Sequence, residues 1–255
     1  MAPAKPIKSK TYRVRESARA KHVSIKISHL GEVEVVVPFG FDRQQIPEIV
    51  QKRQDWIAKT TQRIVAERQA APLSQTAGQL PEIISLQSLP ERWQLRYEQT
   101  AANHVVASKT GAQRLLVRGA IHHPQLCQRV LKQWLKRKAE MHLIPWLRRT
   151  SQEVNLPFNQ VAIRGQKTLW ASCSAKTNIS LNYKLLFLPP RLVRYVFIHE
   201  LCHTVHLNHS DRFWGLVAEK EPIYDRLDAE LNKAWIYIPD WVEQGFAEES
   251  GAGLD

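Results

Sequence analysis

Five consecutive residues constrain this chain more than any others: His199-Glu200-Leu201-Cys202-His203. On a helix, residues i and i+4 stand one above the other about 6 Å apart. Two imidazoles at that spacing can converge on one metal ion, at about 2.1 Å each for zinc. Glu200 follows His199 directly and points to the side of the pair. From there a carboxylate can act on a bound water without being a ligand itself. The flanking residues predict the helix. Pro189-Pro190 precedes Arg191-Leu-Val-Arg-Tyr-Val-Phe-Ile, and proline suits the first helical position. Leu192, Val193, Val196 and Val205 supply an apolar side, and Asn208 is the expected terminator. A chance match to the pattern in a chain of this length is on the order of one in a hundred. Its helical setting and the histidines that follow make it a candidate metal site.

A catalytic zinc needs a third protein ligand and one open position. Three sources are available. His206 stays on the same helix face but lies about 10.5 Å along the axis from His199, and three side chains in one row do not surround an ion easily. His209 follows the expected helix end, so the chain can turn back and offer it from another direction. Glu219 or Glu221 fits a design in which a second helix brings a carboxylate. Geometry ranks His209 first, the glutamates second and His206 third.

Composition narrows the class. The chain has 255 residues, with 36 Lys+Arg against 24 Asp+Glu, a formal charge of +12. That excess raises nucleic acid, acidic protein or an anionic surface as partners without choosing among them. Three cysteines without a C-x-x-C pair argue against a disulfide framework and for a reducing, cytoplasmic location. No apolar run approaches the roughly 18 residues of a membrane span, and the basic start has no apolar core of a signal peptide.

The expected organisation is α+β. The first 30 residues carry eight basic side chains and one acid, and residues 1–20 are read as a basic arm. Val23, Ile25 and Ile27, then Val33, Val35 and Val37, alternate with polar residues on either side of Leu30-Gly31, the pattern of a β-hairpin. Ile46, Ile49, Val50, Trp56, Ile57 and Ile64 predict one long helix over 42–69, with Asp42 as N-cap and Pro47 in its opening turns. Residues 70–81 have linker composition. Strands are expected at 83–86, 93–97, 104–107 and 115–117, and a soft boundary near residue 120 closes this β-rich region of 21–120. A helix over 124–149 follows, with Leu126, Val130, Trp134 and Met141 on its apolar side, Lys136-Arg-Lys among its basic residues, and Pro145 as a kink or stop. Strands at 161–163 and 179–181 flank the polar stretch Trp170-Ala-Ser-Cys-Ser. The chemistry belongs to 121–242, and 243–255 form an acidic tail.

Together, Trp170-Ala-Ser-Cys-Ser, Ile179-Ser-Leu-Asn182, Tyr195-Val-x-x-His-Glu-Leu-Cys-His and Asn208-His-Ser-x-x-Phe213-Trp214 resemble the YgjP-like family of zinc metallopeptidases, related to the SprT-type group. The N-terminal Val-x-Val-x-Val-Pro and Asp55-Trp56-Ile57 extend the likeness over most of the chain. The resemblance implies a zincin-like C-terminal domain holding one Zn2+ per chain. It assigns His199, His203 and His209 as ligands and Glu200 as base, and it implies hydrolysis of a peptide or protein by a metal-activated water. Trp170, Ser172 and Asn182 are the candidate substrate contacts, with the strand near Ile179 offering an edge to an extended peptide. Trp214 is a candidate buttress of the metal loop. Two positions depart from the family pattern: Ala171 stands where glycine is usual and Leu169 where arginine is usual.

Two other functions fit parts of the sequence. The basic arm and the basic helix suit a nucleic-acid-associated protein, one acting on DNA-bound proteins included, although no zinc-finger, RNA-binding or helix-turn-helix pattern is present. A structural zinc module would need the histidines but not Glu200. His122-His123 is read as loop, and Cys173 and Cys202 as packed thiols.

Overall fold

A computed structural model of the chain describes residues 12–18, 20–28, 31–69 and 80–243. It divides into two compact units, Met1–Ser74 and Gln75–Asp255.

In the first unit, alternating valines build a three-stranded sheet from β1 (Tyr12–Ser17), β2 (Ser24–Ile27) and β3 (Val33–Pro38). β2 and β3 pair antiparallel as the expected hairpin, while β1 adds to the other side of β3 in parallel, Tyr12 opposite Val33. β1 falls inside the stretch read as a basic arm. Its Tyr12 and Val14 alternate with Arg13 and Arg15, a period of two that the count of charges obscures. Glu34 neutralises Arg15 and Glu16 pairs with Arg43. Residues 1–11 and 19 of the arm lie outside the described residues. Val35, Val37 and Ile46 form the core of this unit.

Asp42 does cap a helical start, its Oδ1 accepting from the Gln44 amide at 3.0 Å, but the capped element is a short 3-10 turn. The helix proper, α1 (Ile46–Lys52), begins at Ile46 with Pro47 in its first turn, where a missing N–H costs nothing. A break at Arg53 then separates α1 from α2 (Gln54–Gln69). The single long helix is therefore two. Trp56, expected on the apolar stripe, is 46% exposed. Most of the linker, residues 70–79, lies outside the described residues.

The second unit opens with β4 (Ile83–Leu86), β5 (Glu91–Gln99), β6 (Val105–Gly111) and β7 (Arg114–Gly119), in the order β4-β5-β7-β6 with β5 and β7 parallel. Its inner face, including Ile84, Leu86, Trp93, Leu95, Leu115 and Val117, shares one core with α3 (Pro124–Val154). The sequence places a soft boundary near residue 120. The structure instead joins the sheet to the helix that follows, because every second side chain along each strand faces inward and needs that cover.

The buried line of α3 is Cys127, Leu131, Leu135, Ala139, Leu143 and Leu147, all fully enclosed and four residues apart. It lies one residue on from the expected line. Leu126, Val130 and Trp134 only flank the core, and Met141 is 62% exposed. Pro145 neither stops nor shortens the helix. Both Pro145 and Met141, whose carbonyl loses its helical partner, lie on the solvent-exposed side of the helix. The basic residues of α3 are partly committed: Lys138 is buried, 2.9 Å from Glu91, and lies over the Trp93 ring.

A second sheet follows: β8 (Val161–Arg164), β9 (Ala171–Cys173) and β10 (Ile179–Asn182), in the order β8-β10-β9. β10 is central, parallel to β8 and antiparallel to β9. The expectation that the strand near Ile179 offers an edge is thus corrected. The polar stretch around Ser172 is itself a strand, and β8 and β9 are the edges. Helices α4 (Pro190–Cys202), α5 (Asp211–Lys220), α6 (Tyr224–Leu231) and the short α7 (Asp240–Glu243) complete the unit. The described residues thus form an α+β fold of three sheets and seven α-helices. None of these helices is long and apolar enough to cross a membrane. Glu243 ends α7 in a nearly buried ion pair with Lys184, 2.7 Å long, while the remainder of the acidic tail lies outside the described residues.

Candidate metal centre

α4 sits in the core because Leu192, Val193, Val196, Phe197, Ile198 and Leu201 are all buried. Proline at its first position starts it. It ends earlier than expected. His203 is its C-cap, and a turn closed by the Thr204 hydroxyl donating to the Leu201 carbonyl follows. Val205 is therefore off the helix and exposed. His206 also leaves the face it would share with His199. Its carbonyl instead accepts from His203 Nδ1 at 2.9 Å, which commits that nitrogen and leaves Nε2 free.

The early stop lets the chain turn back before α5. His209, on that return, brings its Nε2 to 3.1 Å from His199 Nε2. One nitrogen each from His199, His203 and His209 lie within 4.8 Å of one another, a group that could hold a metal ion. His209, ranked first, is a member of this group, which includes neither His206 nor the glutamates. Glu219 pairs instead with Lys220, and Glu221 with Arg194.

Phe213, in the first turn of α5 and fully buried, holds the three rings. It stacks on His203 at 4.4 Å and meets His199 and His209 edge-on at 5.0 and 4.8 Å. Trp214 packs against His209 at 5.6 Å and stacks on Tyr224. Tyr195, one turn before His199, donates to Asp228 from the core. Sequence reasoning gave Phe213 no role, although its spacing of four from His209 was the available signal.

The electrostatics favour ligation. Burial, then the neighbouring His203 and His209, pushes His199 down to about 3. Burial also lowers His203. Neutral imidazoles keep the lone pairs a metal needs. Glu200 is buried beside them, and burial pushes its carboxyl up to about 8. Its Oε2 is enclosed without a hydrogen-bond partner among the described residues. An enclosed carboxylate oxygen is costly unless something else completes it, so the pocket fits a bound cation and its water.

The three candidate substrate contacts divide. Ser172 lies in edge strand β9, opposite Ser180. Trp170, just before it, stacks on Trp235 at 4.0 Å. Asn182 is corrected: it is fully buried, its Nδ2 donates to the Gln166 and Leu169 carbonyls at 2.8 Å each, and its Oδ1 accepts from the Lys184 amide. It braces the loop leading into β9. β9 packs against α4, the helix that carries Glu200, and burial pushes the Cys173 thiol there up to about 11. His122 and His123 lie with their ring centroids 4.1 Å apart, tilted at 47°, and His122 meets Gln99, not a metal-ligand group.

The model of the YgjP-like metallopeptidase domain matches residues 21–234. Among solved structures, the metallopeptidase zymogen abylysin of Pyrococcus abyssi is 28% identical over 34% of this chain and 91% of its own, with a TM-score of 0.29. No curated protein matches. The family match spans both units and includes every residue of the histidine cluster, so the chain belongs to the YgjP-like metallopeptidase family.

Proposed function

We propose that the chain is an HExxH-type zinc peptidase in which His199, His203 and His209 hold one Zn2+ and Glu200 moves the proton. One observation carries this reading: three imidazole nitrogens converge within 4.8 Å, and the next residue after His199 buries a carboxylate oxygen that has no hydrogen-bond partner among the described residues. Three nitrogen ligands with an open position is a catalytic zinc ligand set. When bound, zinc supplies Lewis-acid polarisation of the scissile carbonyl and lowers the pKa of water to about 7.

The chain's own groups do the rest. His203 keeps one tautomer through its bond to the His206 carbonyl, which aims its ring. Phe213 fixes the rings relative to one another. Glu200 accepts a proton from the attacking water at Oε2 and delivers it to the leaving amine. Burial shields that carboxylate from competing solvent. The free edge of β9, with Ser172 on it and Trp170 beside it, offers main-chain pairing to an extended peptide.

Metal analysis tests the ligand set. The purified chain is expected to carry one zinc, and His209→Ala to lose it. Cleavage of casein or a peptide library is expected to stop on chelation and to return with zinc. Tight one-to-one zinc in His209→Ala would move the third ligand elsewhere. A zinc-loaded chain that cleaves nothing would remove the catalytic role.

A further inference from the structure

The sheet β4–β7 has an outer face that the core does not use. Alternation along β5 turns Trp93 and Leu95 inward and Arg92, Gln94, Arg96 and Glu98 outward. β7 turns Arg114 and Arg118 the same way. The parallel register sets Arg114 beside Gln94 and Arg118 beside Glu98. Arg118 is neutralised by Glu98 at 2.7 Å. Arg92, Arg96 and Arg114 are exposed, and their side chains have no hydrogen bond or ion pair among the described residues.

Arg92 and Arg114, with Gln94 and Gln113, also line a cleft of about 350 Å³. Its wall is set by the turn before β7. There Gln113 takes a left-handed backbone, φ 53°, and its side-chain carbonyl accepts from the Arg92 amide at 3.0 Å.

We propose that this face binds the phosphate backbone of a nucleic-acid strand. Strand geometry puts Arg92 and Arg96 about 13 Å apart, with Arg114 level with their midpoint on the strand about 4.8 Å away. One small anion would use only part of that array. A stacked strand presents a phosphate every ~3.4 Å of axis, so the array covers about four of them. Guanidinium forks suit phosphate oxygens. An acidic peptide fits less well, because a peptide gains its main-chain bonds at a sheet edge, and β5 and β7 are the central strands here. No aromatic side chain points outward from β5 or β7, so bases have nothing to stack on and binding is expected to ignore sequence. The net charge of +12 steers a polyanion toward the chain. This surface shares no residue with the metal centre, and its failure would leave the zinc reading untouched.

The test uses the full chain and a fluorescent 20-nucleotide oligo-dT, titrated from 50 to 200 mM salt. The wild type is expected to bind with a steep salt dependence. Replacing Arg92, Arg96 and Arg114 together by Gln is expected to lower the slope of log K against log salt by about 2. Affinity at 50 mM salt is expected to fall at least tenfold, with zinc content unchanged. The matching triple Lys variant is expected to recover most of the slope, which separates lost charge from a disturbed fold. The proposal is overturned by wild-type affinity in the Gln variant, by no recovery in the Lys variant, or by no binding at 50 mM salt. Displacement of the oligonucleotide by polyglutamate at equal charge would likewise overturn it, making acidic protein the ligand.

Discussion

Phe213 shows what kind of residue a metal site hides from sequence reading. His199, Glu200 and His203 are legible because their relation is local: a spacing of four on one helix marks two candidate ligands and the side on which the carboxylate lies. His209 is legible for a looser reason, that a third ligand must approach from another direction. Phe213 touches all three imidazoles, but an apolar residue in a short helix looks like any core residue until the packing is known. Its contacts orient the ligands, and losing such outer support typically costs about 10–100-fold in metal affinity. Phe213→Ala is therefore expected to weaken zinc binding by that order in competition with a chelating dye. Unchanged affinity would mean that backbone geometry alone aims the rings. Asn182 shows the opposite case. Its polarity and its place beside a matching motif suggested a substrate contact, and only full burial and three hydrogen bonds to the chain reveal a brace.

At the scale of elements, periodicity located the parts better than it oriented them. The strands β4, β5, β7 and β10 fall where alternation or apolar runs put them. β9 escaped because three small, half-polar residues have no readable period, and its strand nature comes from pairing with β10. That miss matters, since it moved the available sheet edge from β10 to β9, against the helix that carries Glu200. On α3 the charged residues masked the apolar line, and a stripe one residue out of phase looked as good. Two substitutions separate the lines. Leu135→Ala empties a fully enclosed core position and is expected to destabilise the chain by about 2–5 kcal/mol. Met141→Ala, at a solvent-facing position, is expected to change stability by no more than ~0.5 kcal/mol. Denaturant titration of both variants checks the phase of the helix, and the reverse order of effects would contradict it. Helix α4 teaches a related lesson. Its end lies at Cys202 rather than near Asn208, and the early stop frees the chain to bring His209 back.

For the whole molecule, charge and chemistry are separate properties. The excess of +12 describes surfaces, and folding decides which of its members stay available. Arg15, Arg43, Lys138 and Lys184 are taken up in ion pairs, while the outer face of the β4–β7 sheet keeps three guanidiniums without a partner among the described residues. No count of residues could divide the basic side chains in this way. The metal centre depends on a different economy, in which burial keeps two of the imidazoles neutral and leaves one carboxylate oxygen without a partner among the described residues. The central claim is that this oxygen moves the proton in peptide hydrolysis, and it is tested most directly by Glu200→Gln. Zinc content and peptide cleavage are measured on the same preparations of the wild type and the variant. One zinc per chain in both, with cleavage in the variant lower by about 10²–10⁴-fold, is the predicted result. A Glu200→Gln chain that retains zinc and cleaves at the wild-type rate would contradict it.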